Sequence, residues 1–89
     1  MIPDSVRPLL PLAALWGLSD DYERSSLVQA APLNELRAMV AAVDAVSDDD
    51  LYGWLSGPES HLPRPSPEYV AITCLTQAAD EARQLLRRG

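Results

Sequence analysis

The stretch that decides the fold is SPEYVAITCLTQAADEARQLLR, residues 66–87. It opens with Ser66 as a cap, Pro67 at the first helical position and Glu68 in the first turn, a combination that predicts a helix start. At about 100° per residue, the apolar side chains that follow cover roughly 200° of arc, more than a surface helix needs. They are Val70, Ile72, Cys74, Leu75, Ala78, Ala79, Ala82, Leu85 and Leu86. We therefore expect a helix over about 67–87 that forms the central spine of the fold, and its wide apolar arc also favours a homodimer.

Proline spacing near the N-terminus predicts a short first helix. Pro8 and Pro11 fit the opening turn of a helix over about 8–16, because first-turn N–H groups have no helical partner. Gly17 suits the left-handed position that commonly follows a helix.

A second helix is predicted over about 20–30. Ser19 and Asp20 can both cap it, and Glu23 is placed to complete a capping box with Asp20. Its apolar face is thin and consists of Leu27, Val28 and Ala31. Packing rather than intrinsic propensity must therefore hold this helix.

The third helix has the clearest amphipathic pattern. Pro32 stops the preceding helix and fits the first position of this one. The apolar side chains within about 140° of arc are Leu33, Leu36, Met39, Val40, Val43 and Val46. A second stripe consists of Ala38, Ala41 and Ala45. These alanines either fill the helix or allow a second element or subunit to approach closely.

The next stretch, Ser47 to Pro58, combines acidic, aromatic and turn residues. Ser47 is the expected cap of a short helix whose first turn holds three aspartates, where the helix dipole favours negative charge. One side of this helix carries Leu51, Tyr52, Trp54 and Leu55, with Gly53 on the other side. Gly57 and Pro58 end the helix.

Residues 57–66 are rich in proline and show no periodicity, which predicts a connecting loop across the bundle. No segment alternates as a strand does. The expected fold is all-α: a single domain over 1–89 of four to five helices, with an N-terminal arm over 1–7.

Composition limits the classes of protein to consider. The chain has 89 residues, 47% hydrophobic and 22% charged, which suits one globular domain. Cys74 is the only cysteine, so a reducing cytoplasm is expected. No apolar run approaches the ~18–20 residues of a membrane span, and the N-terminus lacks the features of a secretory signal, so Met1 reads as a genuine start. Abundant Arg and Ala without Lys indicate a bacterial source.

The net charge of −6 is concentrated in residues 19–50, where eight acids face two arginines. Such a zone repels phosphate, which argues against nucleic-acid or anionic-membrane binding and favours a basic protein partner. A solvated face that only confers solubility is the alternative.

Three chemical patterns in the sequence are incomplete. An EF-hand-like spacing runs through Asp48, Asp50, Gly53, Ser56 and Glu59. It fails because Tyr52 offers no suitable oxygen and Pro58 opposes an exit helix. Asp4-Ser5-Val6 resembles the attachment motif of acyl carrier proteins, but it precedes the bundle. His61 and Cys74 do not complete a catalytic constellation, so we expect a non-enzymatic protein without metal or cofactor.

The predicted partner-binding residues are Asp48, Asp49, Asp50, Tyr52 and Trp54. A helix this short cannot bury two large rings by itself, and tyrosine and tryptophan dominate interface energetics. Core packing remains the alternative for each ring.

An acidic helical bundle with a short, tyrosine-bearing helix resembles the small bacterial immunity proteins that neutralise nuclease toxins. Ser47–Leu55 and Pro65–Val70 carry this resemblance, which implies an immunity- or adaptor-like interaction module. The alternative function is a small-molecule sensor or enzyme accessory subunit, with a pocket under the 57–66 loop and with His61 and Arg64 at its mouth.

Overall fold

The computed structural model describes residues 2–18 and 20–88, which form five α-helices and two 3₁₀ turns. The elements in chain order are a 3₁₀ turn at Arg7–Leu9, α1 at Leu10–Trp16, α2 at Asp21–Ala30, α3 at Leu33–Asp44, α4 at Asp48–Leu55, a 3₁₀ turn at Pro58–His61, and α5 at Pro67–Arg88. These described residues contain no strand, so the all-α prediction is confirmed. α5 contacts every other helix and is the predicted central spine.

The start and the core face of α5 follow from its sequence. The Ser66 hydroxyl accepts a hydrogen bond from the backbone N–H of Tyr69 at 3.2 Å, which confirms Ser66 as the cap. The fully buried residues of α5 are Ile72, Leu75, Ala78, Ala79 and Ala82. Val70 was also predicted on the apolar face, but it is 38% exposed. Small alanines let the surrounding helices pack close to the spine.

The end of α1 lies against the backbone of α5. Gly17 has φ −86° and ψ 39°, so the predicted left-handed conformation is wrong. A Cβ at this position would lie 2.7 Å from the Ala71 carbonyl oxygen and closer still to that of Ala13. Glycine is therefore needed here because two backbones approach closely, not because of an unusual φ.

α2 buries one apolar residue and one arginine. Asp20 caps it by accepting hydrogen bonds from the N–H groups of Tyr22 (2.9 Å) and Glu23 (3.1 Å), while Ser19 lies outside the described residues. Val28 is fully buried, whereas Leu27, predicted on the same face, lies at the surface. Like Val28, Arg24 is buried, and the sequence did not indicate this.

Arg24 is tied into the turn between α1 and α2. Its Nη1 donates to the Leu18 carbonyl oxygen at 3.1 Å and its Nη2 to Asp21 Oδ1 at 2.7 Å. The Nε–H group is buried without a partner among the described residues. Arg24 therefore fills an otherwise apolar position with its long stem and fixes the turn with its head group.

α3 begins one residue later than predicted, because Pro32 is the cap residue with an extended ψ of 147°. Leu36, Met39 and Val43 are buried as expected, but Leu33 is exposed at the first position. The second predicted stripe is exposed along its length and comprises Ala38, Ala41 and Ala45. Within the described ranges, no helix combines the length and the apolar character needed to cross a membrane.

Candidate functional site

α4 presents its acidic first turn to solvent. Ser47 occupies the cap position, but its hydroxyl makes no capping hydrogen bond, so the predicted side-chain cap is wrong. Asp48, Asp49 and Asp50 follow it, all are exposed, and none forms an ion pair with another described residue. The helix dipole alone stabilises these three charges.

Tyr52 shares a helix face with two of these aspartates. It follows Asp48 by four residues and Asp49 by three, the spacing that places side chains next to each other on a helix. Tyr52 is 45% exposed. Asp50 lies on another side of α4, four residues before Trp54. The five predicted partner-binding residues therefore divide into two groups.

Trp54 belongs mainly to the packing between α4 and α5. It is half-buried, and its ring meets that of Tyr69 edge to face, with 5.5 Å between centroids and 70° between planes. The Tyr69 hydroxyl donates a hydrogen bond to the carbonyl oxygen of Leu55, the last residue of α4. Tyr69 thus satisfies a helix-end carbonyl and supports the Trp54 ring at once.

Arg83 of α5 forms ion pairs with two further aspartates. Its guanidinium contacts Asp44 Oδ1 at 2.5 Å and Asp80 Oδ1 at 2.7 Å. Burial lowers the pKa of Arg83, but the hydrogen bond to Asp44 and the charges of Asp44 and Asp80 outweigh this effect and raise that pKa. Tyr52 is within electrostatic reach of the same guanidinium.

We call Asp44, Asp48, Asp49, Tyr52 and Asp80 the acidic face. Sequence reasoning identified its part on α4. It missed the contribution of Asp44, which joins the face through an arginine 39 residues away in the chain. The pairing of Asp80 with Arg83 is a local i, i+3 contact, so the spacing of these two residues was a usable signal.

The calcium-like spacing is not realised as a loop. Residues 48–55 form a helix, so the carboxylates of Asp48 and Asp50 point in different directions. The Glu59 carboxylate accepts a hydrogen bond from the Ser66 N–H at 2.7 Å. Among the described residues, no group of three or more His, Cys, Asp or Glu side chains is arranged to hold a metal ion.

The 57–66 segment is more ordered than predicted, with a 3₁₀ turn over Pro58–His61. Hydrogen bonding from Ser66, through its hydroxyl first and its backbone N–H second, lowers the pKa of the Glu59 carboxyl. This contact closes the segment onto the start of α5.

An open groove of about 500 Å³ lies beneath this segment. It is lined by Ile2, Pro58, Glu59, Leu62, Ser66 and Glu68. Neither His61 nor Arg64, which were predicted at its mouth, is among these lining residues, and its charged residues are carboxylates. Cys74 lines a different depression with Arg24 and Tyr69, and His61 is not part of that lining either.

No protein-family model, no curated protein and no solved structure matches this chain. The resemblance to immunity proteins therefore still rests on Ser47–Leu55 and Pro65–Val70 alone.

Proposed function

We propose that this protein is a non-enzymatic interaction module whose acidic face binds a basic segment of a partner protein. One observation carries the proposal: Tyr52, 45% exposed, lies beside Asp48 and Asp49, whose carboxylates have no cationic partner among the described residues. Such a residue pattern combines a large rigid contact surface with charge available for pairing.

The electrostatic part of the proposal follows from the charge distribution. The net charge of −6 attracts a basic partner over the Debye length, about 8–10 Å at physiological salt. At contact, a carboxylate can accept two parallel hydrogen bonds from one arginine. Asp44 and Asp80 are already paired with Arg83, so Asp48 and Asp49 are the carboxylates that a partner would engage.

Tyr52 supplies the apolar contact in this proposal. A tyrosine ring loses few rotamers on binding, and its hydroxyl can hydrogen-bond at the edge of the interface. Trp54 takes a supporting role, because its contact with Tyr69 holds α4 in position on α5.

A second candidate function is favoured by the groove under residues 57–66. Its volume of about 500 Å³ lies within the range of small-molecule sites, and Glu59 and Glu68 line it together with apolar Ile2 and Leu62. Such a lining suits a cationic ligand with an apolar part. The protein would then act as a small-molecule sensor or as an enzyme accessory subunit.

The decisive experiment captures binding partners from an extract of the source organism with two matched variants. The test variant is Asp49→Asn with Tyr52→Ser. The control is Glu23→Gln with Tyr22→Ser, which also removes one exposed acid and one exposed tyrosine but lies on α2. Replacing two residues at the centre of an interface is expected to weaken binding by about 30-fold or more.

Quantitative mass spectrometry of the captured proteins measures this loss. A basic protein depleted by the test variant and retained by the control supports the proposal. Equal recovery of every captured protein with both variants would show that the acidic face is not the binding surface.

A further inference from the structure

The side of the bundle where α1, α2 and α3 meet carries a continuous apolar groove. Two adjoining depressions of about 150 and 240 Å³ share Leu15, Trp16 and Glu35 in their linings. Every other residue that lines them is leucine, alanine or methionine. We call this feature the α1–α3 groove.

Leucine exposure marks the α1–α3 groove as unusual for a monomer surface. Leu15 is 61% exposed although it lines both depressions, and Leu27 lies at the surface beside it. Isolated exposed leucines need no explanation, but here they border a concave surface whose floor includes the buried Trp16. A concave apolar surface of this kind can bind apolar side chains of another molecule.

The charge in the groove indicates what kind of molecule can bind there. Glu35 is the one charged residue among the described residues that line it, and it forms no ion pair with any of them. A cationic side chain next to apolar ones complements this arrangement. A second copy of the chain is disfavoured, because it would bring another net charge of −6 against a groove whose one charged lining residue is the acid Glu35.

An exposed alanine stripe on α3 begins in the groove and runs toward the chain segment that leads to α4. The exposed Ala38 lines the groove, and Ala41 and Ala45 follow it, with Ala45 three residues before Asp48 in the sequence. The eleven residues from Glu35 to Ala45, the residue that follows α3, span about 15 Å. Alanine side chains over this length allow another helix to approach within the usual 8–10 Å between axes.

We propose that the basic partner segment is an amphipathic helix that lies along α3. Its apolar residues, spaced i, i+3, i+4 and i+7, enter the α1–α3 groove, and its basic residues meet Glu35 at one end and Asp48 and Asp49 at the other. This inference rests on the proposed function, because it extends the same binding surface from the acidic face to the groove.

The test uses a synthetic peptide of about 18 residues, acetylated and built from leucine and lysine with that helical spacing. A scrambled peptide of identical composition is the first control. Binding is followed by NMR through the backbone amides and the Trp16 indole N–H. We expect saturable shifts along α1 and α3 with the amphipathic peptide and binding at least about 10-fold weaker with the scrambled one.

A pair of leucine variants locates the contact. Leu15→Ser removes an exposed side chain from the groove. Leu33→Ser removes one that is 45% exposed at the start of α3 and that lines neither this groove nor the one under residues 57–66. Because neither leucine is buried, both variants should keep the helical circular dichroism spectrum of the parent. We expect Leu15→Ser to weaken peptide binding by about 10-fold and Leu33→Ser by less than about two-fold.

The possible outcomes separate this inference from the proposed function. Equal affinity of the Leu15→Ser and Leu33→Ser variants, or equal binding of both peptides, would overturn the groove as the docking site and leave the acidic face unaffected. Binding that needs Leu15 but is unchanged by Asp49→Asn with Tyr52→Ser would support the groove and overturn the acidic face. Groove shifts that depend on protein concentration without peptide would identify a second copy as the occupant and overturn the proposal.

Discussion

At its contact with α1, α5 is approached by backbone, whereas at its contact with α4 it is approached by side chains. Gly17 brings the end of α1 against the Ala71 carbonyl of α5, with no room for a further carbon atom. On the other side, α4 is held by the Tyr69 hydroxyl on Leu55 and by the Trp54 ring. The two contacts hold the same spine by different means.

This difference determines how each contact responds to change. A close contact between two backbones has no room for an added atom, because the hydrogen bonds of each helix hold its carbonyl groups in place. One of the two helices must therefore move. A contact made by side chains loses one hydrogen bond or one ring at a time. We therefore expect α4 and the 57–66 segment to open more readily than α1, on the side where the acidic face lies.

The substitution Gly17→Ala should have the largest effect. Its Cβ would lie within 3.0 Å of the Ala13 and Ala71 carbonyl oxygens, so the last turn of α1 must distort and α1 must also shift away from α5. We expect a loss of about 2–3 kcal/mol in the free energy of unfolding, the usual range for overpacking a tight site. Urea denaturation followed by circular dichroism measures it.

Gly53→Ala is the matched control for this substitution. Gly53 lies inside α4, and a Cβ there would meet no atom within 4 Å. Alanine should raise stability by about 0.5–1 kcal/mol through its higher helix propensity. If both variants changed stability by the same amount in the same direction, the close backbone contact would not be the cause.

Tyr69→Phe should have an intermediate effect. It removes the hydroxyl that donates to Leu55 while leaving a ring to face Trp54. A lost hydrogen bond of this kind costs about 1 kcal/mol. Hydrogen exchange should show faster opening of α4 than of α1 in this variant.

The control for Tyr69→Phe is Tyr22→Phe, because Tyr22 is 81% exposed and its hydroxyl bonds to no described residue. It should leave both stability and exchange unchanged. Equal acceleration of exchange in α1 and α4 by Tyr69→Phe would contradict the separation of the two contacts.

The smallest effect is expected at Glu59 and depends on pH. Hydrogen bonding from Ser66 lowers the pKa of this carboxyl in the folded protein below its ordinary value of 4.5. The contact therefore contributes its full stability above pH 4.5 and loses it as the pH falls through the lowered pKa. Glu59→Gln should have a lower Tm than the parent at pH 7, and the difference should shrink on acidification.

The control is the thermal unfolding of Glu68→Gln at pH 7 and at pH 3. This substitution removes an exposed carboxylate from the groove under residues 57–66 that Glu59 also lines. A difference between the parent and Glu59→Gln that persisted at pH 3, or that Glu68→Gln reproduced, would contradict a specific role for the bond to Ser66.

Helix boundaries were predictable from the sequence because they depend on neighbouring residues. The Asp20 cap and the Ser66-Pro67 start involve atoms within three residues of each other, so spacing alone identified them. Gly17 and Arg24 were misjudged for the opposite reason. Their roles depend on which element packs against them, and hydrophobic periodicity does not supply that information.

The candidate site was predictable to the same extent. The exposed positions of Asp48 and Asp49 follow from their place in the first turn of α4. The sequence left open whether Tyr52 is buried, since it placed Tyr52 on the same side as Leu51, which is 1% exposed, whereas Tyr52 is 45% exposed. The half-buried position of Trp54 could not be derived, because it depends on Tyr69 of α5, 15 residues away in sequence and 5.5 Å away between ring centroids. Hydrophobic periodicity does not predict which side chains of two different helices contact each other.

The buried thiol of Cys74 has a practical consequence. It is the only sulfhydryl in the chain, it is 8% exposed, and it lies beside Asp21 and Arg24 of α2. Movement of α2 away from α5 would expose it further to an alkylating reagent. The rate of alkylation in the unmodified protein should therefore rise in variants that loosen the contact between these two helices, without any introduced label.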